Sequence, residues 1–437
     1  MSTRYSAFPG MEDILPDEIE KWQWLEEKAR ILFASHGFRE IRTPLLEPTE
    51  LFTRAIGETT DIVHKEMYTF KDRGDRSMTL RPEMTASVAR AVMEHGLLKT
   101  NPSLALYYTG PMFRAERPQA GRKRQFHQIG AELINVVKAG DPYYADWLII
   151  KALTHFLNYL KVKNAKFRLN DLTLINGVQA GTIRKKLRDY FEANKSRLDP
   201  DSLYRLDKNV LRIFDSKIPQ TRKVIRGVPW GEIAPFNSEF LEWVEFARSF
   251  SEQVTFEVDP TLVRGLDYYT GVVFEVVSDV LGAQDALAGG GRYDRLYEEL
   301  GGSPTPCTGF SIGMERLLVM LEKNDPPVSV QMRSRKIYFA PLFSDSIAGG
   351  LDQVKASMLD LQEWGFQVCA LERHSDLGGH LKRASKTGAS FAVICGEDEL
   401  KKNIWTLKNL NTREQFSVGK SSLAAELIRR TQEQKSS

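Results

Sequence analysis

The chain has 437 residues. At about 150 residues per domain, that length predicts about three folding units, or one large core with an appendage, and excludes a single small module. Hydrophobic residues make up 42%, charged residues 27% and aromatics 10%, a mixture that builds sizeable apolar cores and excludes wholesale disorder. The formal charge is +3, from 60 Lys+Arg against 57 Asp+Glu, too even a balance to single out a partner.

The first residues, to Trp22, lack an apolar signal core, and no segment approaches the ~18 uninterrupted apolar residues of a membrane span, so a cytoplasmic protein with no membrane partner is expected. Cys307, Cys369 and Cys395 are too few and too scattered for a disulfide framework, and none sits in a C-x-x-C pair, which implies a reducing compartment. Between Pro16 and His36 the apolar residues Ile19, Trp22, Leu25, Ala29, Leu32 and Phe33 recur at helical spacing, and Gly37 is suited to a left-handed stop. Strand-like alternation follows from Phe38 and is broken by Pro44. Strands are then predicted at Met78–Leu80, Leu104–Phe113, Arg124–Leu133, Lys166–Asn170, Thr255–Val258 and Gly271–Val277. So many strands with few parallel crossovers predict an α+β core on an antiparallel sheet that carries helices.

The charge is segregated along this order. From Lys161 to Arg226 there are 17 Lys+Arg and 7 Asp+Glu, a block of +10; the stretch from Arg335 onward is +3, which leaves −10 for the rest. A block of this kind is either a solvated helical face or a surface that draws in a polyanion. The clusters Arg184, Lys185, Lys186, Arg188 and Arg222, Lys223, Arg226 flank a helical-looking segment within a mostly helical block, from about Gly177 to Val228, that interrupts the sheet, and this favours the second reading. After Lys323 the polar, proline-bearing run Asn-Asp-Pro-Pro-Val-Ser predicts a linker. Beyond it, buried strands at Lys336–Ala340, Gln367–Leu371 and Phe391–Cys395 alternate with helices and predict an α/β unit ending in a helix around Ser422–Arg430.

Five segments can carry chemistry. The run from Arg114 to Gln128 is a strand, a Gly/Pro turn rich in guanidinium groups and a returning strand: either an exposed charged turn or a hairpin that closes over a polyphosphate, whose oxygens match the arginine fork. On the returning strand Gln128 and Glu132 fall on one face with Gly130 between them, which suggests a gap with a carboxylate beside it for a ligand cation, or a wet sheet face. Leu80-Arg-Pro-Glu83-Met-Thr85 precedes a helix; Thr85 reads as its N-cap, whereas capping does not account for Glu83. Arg264-Gly-Leu-Asp-Tyr268-Tyr269 is a polar island between strands, with flat walls and hydroxyl donors. Ala288-Gly-Gly-Gly-Arg-Tyr-Asp lacks dinucleotide spacing and fits a tight turn, and Gly309–Leu318 runs from a strand into a helix whose first turn bears Glu315 and Arg316. The seven histidines show no metal-ligand spacing, and no nucleophilic triad order stands out.

Together these segments resemble a class II aminoacyl-tRNA synthetase, specifically the histidyl-tRNA synthetase family, over essentially the whole chain. Phe38–Pro48 is similar to class motif 1, Phe113–Glu132 to motif 2 and Gly309–Leu318 to motif 3; Arg264–Tyr269 and Ala288–Asp294 are similar to the signatures of the histidine enzymes. The resemblance implies a catalytic domain over 1–325, a linker over 326–334 and a C-terminal anticodon-binding domain over 335–437. It implies a homodimer that activates L-histidine with ATP, aided by Mg²⁺, and transfers it to tRNA(His). It assigns Glu83, Thr85, Gln128, Glu132, Arg264, Tyr268 and Tyr269 to the histidine pocket, Arg114 and Arg264 to the α-phosphate as the catalytic residues, Arg316 to the γ-phosphate, and Glu116 and Phe126 to adenine. Gln119, Lys185 and Lys186 would meet tRNA. Met84 departs from the Glu-Gly-Thr common in bacterial members. The alternative within the same fold is a histidine-sensing regulatory subunit of ATP phosphoribosyltransferase, which typically lacks both the last domain and the family arginine.

Overall fold

A computed structural model describes residues 5–57, 60–118, 122–176, 180–251, 253–263, 266, 268–282, 286–323, 336–343, 349–369 and 376–436. The chain divides into two compact units, 1–324 and 325–437; the expected linker, 326–334, lies outside the described residues.

The first unit begins with the helix Pro16–Ser35, with Pro in its first turn. Trp22, Leu25, Ala29 and Phe33 form its buried stripe. Its end is a Schellman stop: Gly37 takes φ +82°, its N–H donates to Ala34 and the Phe38 N–H to Phe33, and the Phe33 and Phe38 rings meet at 5.8 Å. The strands of this unit are β1 (Arg39–Glu40), β2 (Leu46–Pro48), β3 (Tyr68–Lys71), β4 (Ser77–Leu80), β5 (Leu104–Phe113), β6 (Gln125–Ile134), β7 (Ala165–Asp171), β8 (Val254–Val258), β9 (Val272–Val277), β10 (Ala286–Arg292) and β11 (Cys307–Gly313). Eight of them form one sheet in the order β1-β5-β6-β11-β10-β9-β7-β8. All neighbours are antiparallel except β1–β5 and β7–β8, so the antiparallel sheet read from the pattern is present with two parallel edge pairs.

Two strand expectations need correction. The strand around Met78–Leu80 does not join this sheet; it is the centre of a separate three-stranded sheet, β2-β4-β3. The glycine run is not a turn but the middle of β10, a central strand. Turn composition misleads there because the glycines serve close approach: a Cβ on Gly290 would overlap the Gly309 carbonyl and stand 2.6 Å from the Phe274 ring.

Between β7 and β8 the chain leaves the sheet for a helical insertion with helices at Ala180–Ala193, Pro200–Lys208, Pro219–Arg226 and Ser238–Arg248. Ile183, Leu187 and Phe191 bury one face of the first, while Arg184, Lys185, Lys186 and Arg188 stay exposed, as amphipathic spacing requires. Asp199 staples the insertion: its carboxylate accepts the Ser202 N–H and the hydroxyls of Ser202, Ser216 and Thr221. Burial alone would raise its pKa, but these four donors outweigh that and hold it below the usual carboxylate range.

The second unit carries β12 (Lys336–Leu342), β13 (Gln367–Cys369), β14 (Phe391–Gly396), β15 (Ile404–Asn409) and β16 (Gln415–Gly419) in the order β13-β12-β14-β15-β16. The first three are parallel, as the buried apolar runs predict, and β15 and β16 add an antiparallel hairpin. That hairpin escapes a search for apolar runs because its burial alternates along each strand. Ile337, Phe339, Val393, Trp405, Leu407 and Leu427 form the core, with the Trp405 indole N–H donating to Ser357 Oγ at 2.9 Å.

Candidate active site

In the first unit a cavity of about 710 Å³ opens on the sheet face formed by β6, β11, β10 and β9. Glu83, Thr85, Arg114, Glu116, Phe126, Gln128, Tyr268, Tyr269 and Arg316, separated by up to 233 positions in the chain, all line it. Gln128 and Phe126 come from the first half of β6, Arg114 from the residue after β5, Arg316 from the first turn of the helix Met314–Glu322 after β11, and Tyr268 and Tyr269 from the connection between β8 and β9. Arg264 and Gln119 lie outside the described residues. Lys185 and Lys186 are not at the cavity; they stand on the exposed face of the insertion helix, where the Lys186 ammonium donates to the Glu232 carbonyl at 3.0 Å.

One end of the cavity is acidic and phenolic. Glu83 is buried, and its carboxylate accepts the N–H groups of Thr85 at 2.7 Å and Ala86 at 3.0 Å, the first two residues of the helix Thr85–Glu94. Glu83, not Thr85, therefore caps this helix, reversing the sequence expectation for both. The Thr85 hydroxyl is free to donate elsewhere, and it donates to Glu132 Oε1 at 2.7 Å. Glu132 is only 1% exposed and sits behind the cavity wall rather than on it. Its other oxygen accepts the Tyr293 hydroxyl at 2.5 Å, and the Tyr108 hydroxyl stands 3.4 Å from Oε1. The expected gap at Gly130 is filled by the Tyr108 ring, which a Cβ there would overlap. Burial pushes the Glu132 pKa up to about 8 against the pull of the Tyr293 and Thr85 hydroxyls, and burial likewise raises Glu83 despite its two backbone donors. Tyr268 and Tyr269 pack edge to face at 4.7 Å, and Tyr268 meets Tyr293 at 5.6 Å. Gln128 presents a buried Oε1 that no described group satisfies, an acceptor left for a ligand.

The other end is cationic. Arg114 donates from Nε to the Pro82 carbonyl at 3.0 Å, and its guanidinium lies 5.3 Å from the Phe126 ring centroid. Arg316 donates from Nη1 to the Ala286 carbonyl at the start of β10. Its pKa is lowered first by burial and then by the neighbouring guanidiniums of Arg122 and Arg114, with Glu116 and Glu275 opposing. Arg122 pairs with Glu116 at 2.8 Å. Several guanidiniums crowding one buried wall make an unfavourable field that an anion relieves.

Sequence reading gave no individual role to Tyr108, Tyr293, Arg122 or Arg81, although the last three lie in runs it singled out. Tyr293 follows the glycine strand, and a phenol placed there was a usable signal. Arg81 gave none: buried, it donates to the Pro111 and Thr43 carbonyls and so braces the segment before β2 against the end of β5. Met84 also lines the cavity, at φ −110°, a conformation open to any residue, so backbone geometry does not demand a glycine there.

An antiparallel sheet that gathers arginines and a carboxylate pocket on one face, followed by a separate α/β unit, is the architecture of a class II aminoacyl-tRNA synthetase. Residues 10–317 match the family model described as histidyl-tRNA synthetase, and residues 343–430 match the anticodon binding domain. The chain is 42% identical over 431 residues to the histidine–tRNA ligase of Gloeothece citriformis, covering 96% of this chain and 95% of that one. It is 38% identical over 423 residues to that of Thermosipho melanesiensis, covering 95% and 96%. The apo histidyl-tRNA synthetase of S. aureus superposes with a TM-score of 0.66 at 30% identity, covering 97% of this chain and all of that one. The histidyl-tRNA synthetase of a Nostoc species shares the fold with a TM-score of 0.70 at 23% identity, covering 98% and 100%. The chain belongs to the histidyl-tRNA synthetase family.

Proposed function

We propose that this protein is a histidine–tRNA ligase that uses ATP to convert L-histidine to histidyl-adenylate and then esterifies the 3′ end of tRNA(His). The observation that carries this reading is the polarity of the cavity, with raised carboxylates at one end and crowded guanidiniums at the other. An amino acid whose head is an ammonium and whose side chain is an imidazole fits the first end, and a triphosphate fits the second. In the reaction the histidine carboxylate oxygen attacks the α-phosphorus and pyrophosphate leaves, so negative charge spreads over oxygens that Arg114 and Arg316 neutralise. Arg264 is assigned to the α-phosphate, and Glu116 and Phe126 to adenine, on the family resemblance. Glu83, Gln128, Tyr268 and Tyr269 would hold histidine directly. Thr85 and Glu132 would act as a pair, the hydroxyl facing the ligand and the carboxyl behind it.

Mg²⁺ would enter with the triphosphate. Among the described residues no group of three His, Cys, Asp or Glu side chains forms a protein cage for a metal, and such an ion is characteristically held by one or two carboxylates plus phosphates. Glu275 on β9, which lines the cavity in the field of Arg316, fits that donor set. Bound there, the ion would neutralise phosphate charge beyond what the arginines reach. The insertion would meet the acceptor arm through its basic face, Gln119 would read the acceptor end, and residues 335–437 would take the anticodon. The protein would act in the cytoplasm as a homodimer, through the segment similar to motif 1. Histidine-dependent exchange of pyrophosphate into ATP, followed by aminoacylation of total tRNA with each amino acid in turn, tests the proposal. Absence of exchange would leave the regulatory-subunit reading, against which the matched anticodon-binding domain speaks.

A further inference from the structure

The β6–β11 ladder runs from Ile134↔Cys307 to Gln128↔Gly313 and stops there, because the chain turns at Gly313 into the helix Met314–Glu322. The next N–H on that strand, His127, has lost its strand partner. On the other side β5 places Pro111 opposite His127. The orphaned donor is nevertheless satisfied: the Glu315 carboxylate accepts the His127 backbone N–H with both oxygens, at 3.0 and 3.1 Å, and Oε1 lies 3.1 Å from His127 Nδ1. Since a carboxylate only accepts, Nδ1 carries the proton in this contact. Glu315 sits in the first turn of a helix that has no side-chain cap, a position from which acidic residues usually serve their own helix end. Here it serves another strand instead. The Trp22 ring packs edge to face with the imidazole at 4.8 Å.

We infer that Glu315 is a positioning residue: its carboxylate extends the β6–β11 ladder by one rung and thereby fixes the helix that carries Arg316 against the strand residues Phe126 and Gln128. The neighbours on either side explain why that rung matters. His127 lies between Phe126 and Gln128, which both face the cavity, and Glu315 precedes Arg316, which reaches across to the Ala286 carbonyl. Without the latch the first helical turn is free to pivot about Gly313, and the guanidinium moves relative to the nucleotide wall while the acidic end, built on Glu83 and Glu132, stays put. The inference rests on reading the cationic end as the ATP site.

The test is pyrophosphate exchange with full-length Glu315→Ala, Glu315→Gln, His127→Ala and His127→Asn, with melting temperature measured alongside. Glu315→Ala is expected to raise KM for ATP at least tenfold and leave KM for histidine within twofold. Glu315→Gln keeps an oxygen for the backbone N–H and should recover most of the loss. His127→Ala keeps the backbone donor and should cost threefold or less, and His127→Asn, which restores a side-chain N–H, less still. Equal losses for ATP and histidine, or a folded Glu315→Ala with unchanged KM for ATP, would overturn the assignment. Should Glu315→Ala not fold, Glu315→Gln decides: a loss as large for histidine as for ATP overturns it. Wild-type protein without histidine-dependent exchange would instead sink the functional reading itself.

Discussion

Glu132→Gln is the sharpest probe of the acidic end, because the side chain is enclosed and its pKa, about 8, stands far above the ordinary 4.5. The dominant cause is burial, so the folded protein holds the carboxyl neutral over a range in which the unfolded chain ionises it. Stability contributed by this group is full below about pH 4.5. It declines as pH rises and is exhausted near pH 8, where the folded group ionises as well. At about 1.4 kcal/mol per pH unit, the deficit is on the order of 3 kcal/mol by pH 7. Glutamine matches the neutral carboxyl in volume, and the surrounding hydroxyls of Thr85 and Tyr293 rotate to suit an amide. In the ligand-free state Glu132→Gln should therefore be nearly neutral at pH 5 and progressively stabilising towards pH 8.

The assay is denaturant unfolding of both proteins at pH 5, 6, 7 and 8, followed by tryptophan fluorescence and compared as differences, so that every other titrating group cancels. A difference that stays flat across the series would refute the burial argument. A second arm uses the ligand. Histidine's cationic groups beside Glu83 and Glu132 should draw the carboxyl back towards ionisation, so binding at pH 7 should release a fraction of a proton, seen as a buffer-dependent heat in calorimetry. Glu132→Gln should abolish most of that release.

Three further outcomes are expected. Arg316→Ala removes a charge-assisted phosphate interaction of about 1.5–3 kcal/mol and should raise KM for ATP roughly 10- to 100-fold in pyrophosphate exchange, with KM for histidine little changed. Gly309→Ala would drive a methyl into Glu132 Oε2 and within 2.8 Å of the Ala131 carbonyl; the denaturation midpoint should fall by the equivalent of about 3 kcal/mol, or the protein should fail to accumulate. Replacing Lys185 and Lys186 together by Ala should weaken tRNA binding and flatten its salt dependence by about one unit of slope for each phosphate that is no longer neutralised. Most of that weakening should trace to Lys185, since the Lys186 ammonium already donates to the Glu232 carbonyl.

How much was legible in the sequence depends on whether a residue's neighbours in the chain are also its neighbours in space. The opening helix and its glycine stop were readable, because spacing and a left-handed cap are local properties. So was the convergence of Arg114, Phe126, Gln128 and Arg316, though only through resemblance, since nothing in local spacing says that β6 lies beside β11. Roles decided by a single hydrogen bond were not readable. Glu83 and Thr85 are two positions apart, and which of them caps the helix depends on Glu132, 47 positions further on, being there to receive the Thr85 hydroxyl. The glycine strand β10 was missed for a similar reason. Its glycines answer to Phe274 and Gly309 across the sheet, not to a turn, and no local pattern separates those two demands.

The two ends of the cavity share one design principle. Glu83 and Glu132 are held more neutral than free carboxylates, and Arg316 is held less basic than a free guanidinium. Both departures come first from burial, which the opposite charges nearby, Arg114 for Glu83 and Glu116 and Glu275 for Arg316, only partly offset; on the proposed assignment a cationic head at the acidic end and a polyphosphate at the basic end would relieve them. Glu132 sits on β6, Arg316 in a first helical turn, and Glu83 just before a helix whose first two N–H groups it accepts, so the field these groups create is held by the fold. On the proposed assignment an attacking carboxylate would enter a site whose positive end is already in place, with little reorganisation left for the moment of reaction. The Glu315–His127 latch belongs to the same economy of motion, since a field preorganised by Arg316 is only as steady as the helical turn that carries it.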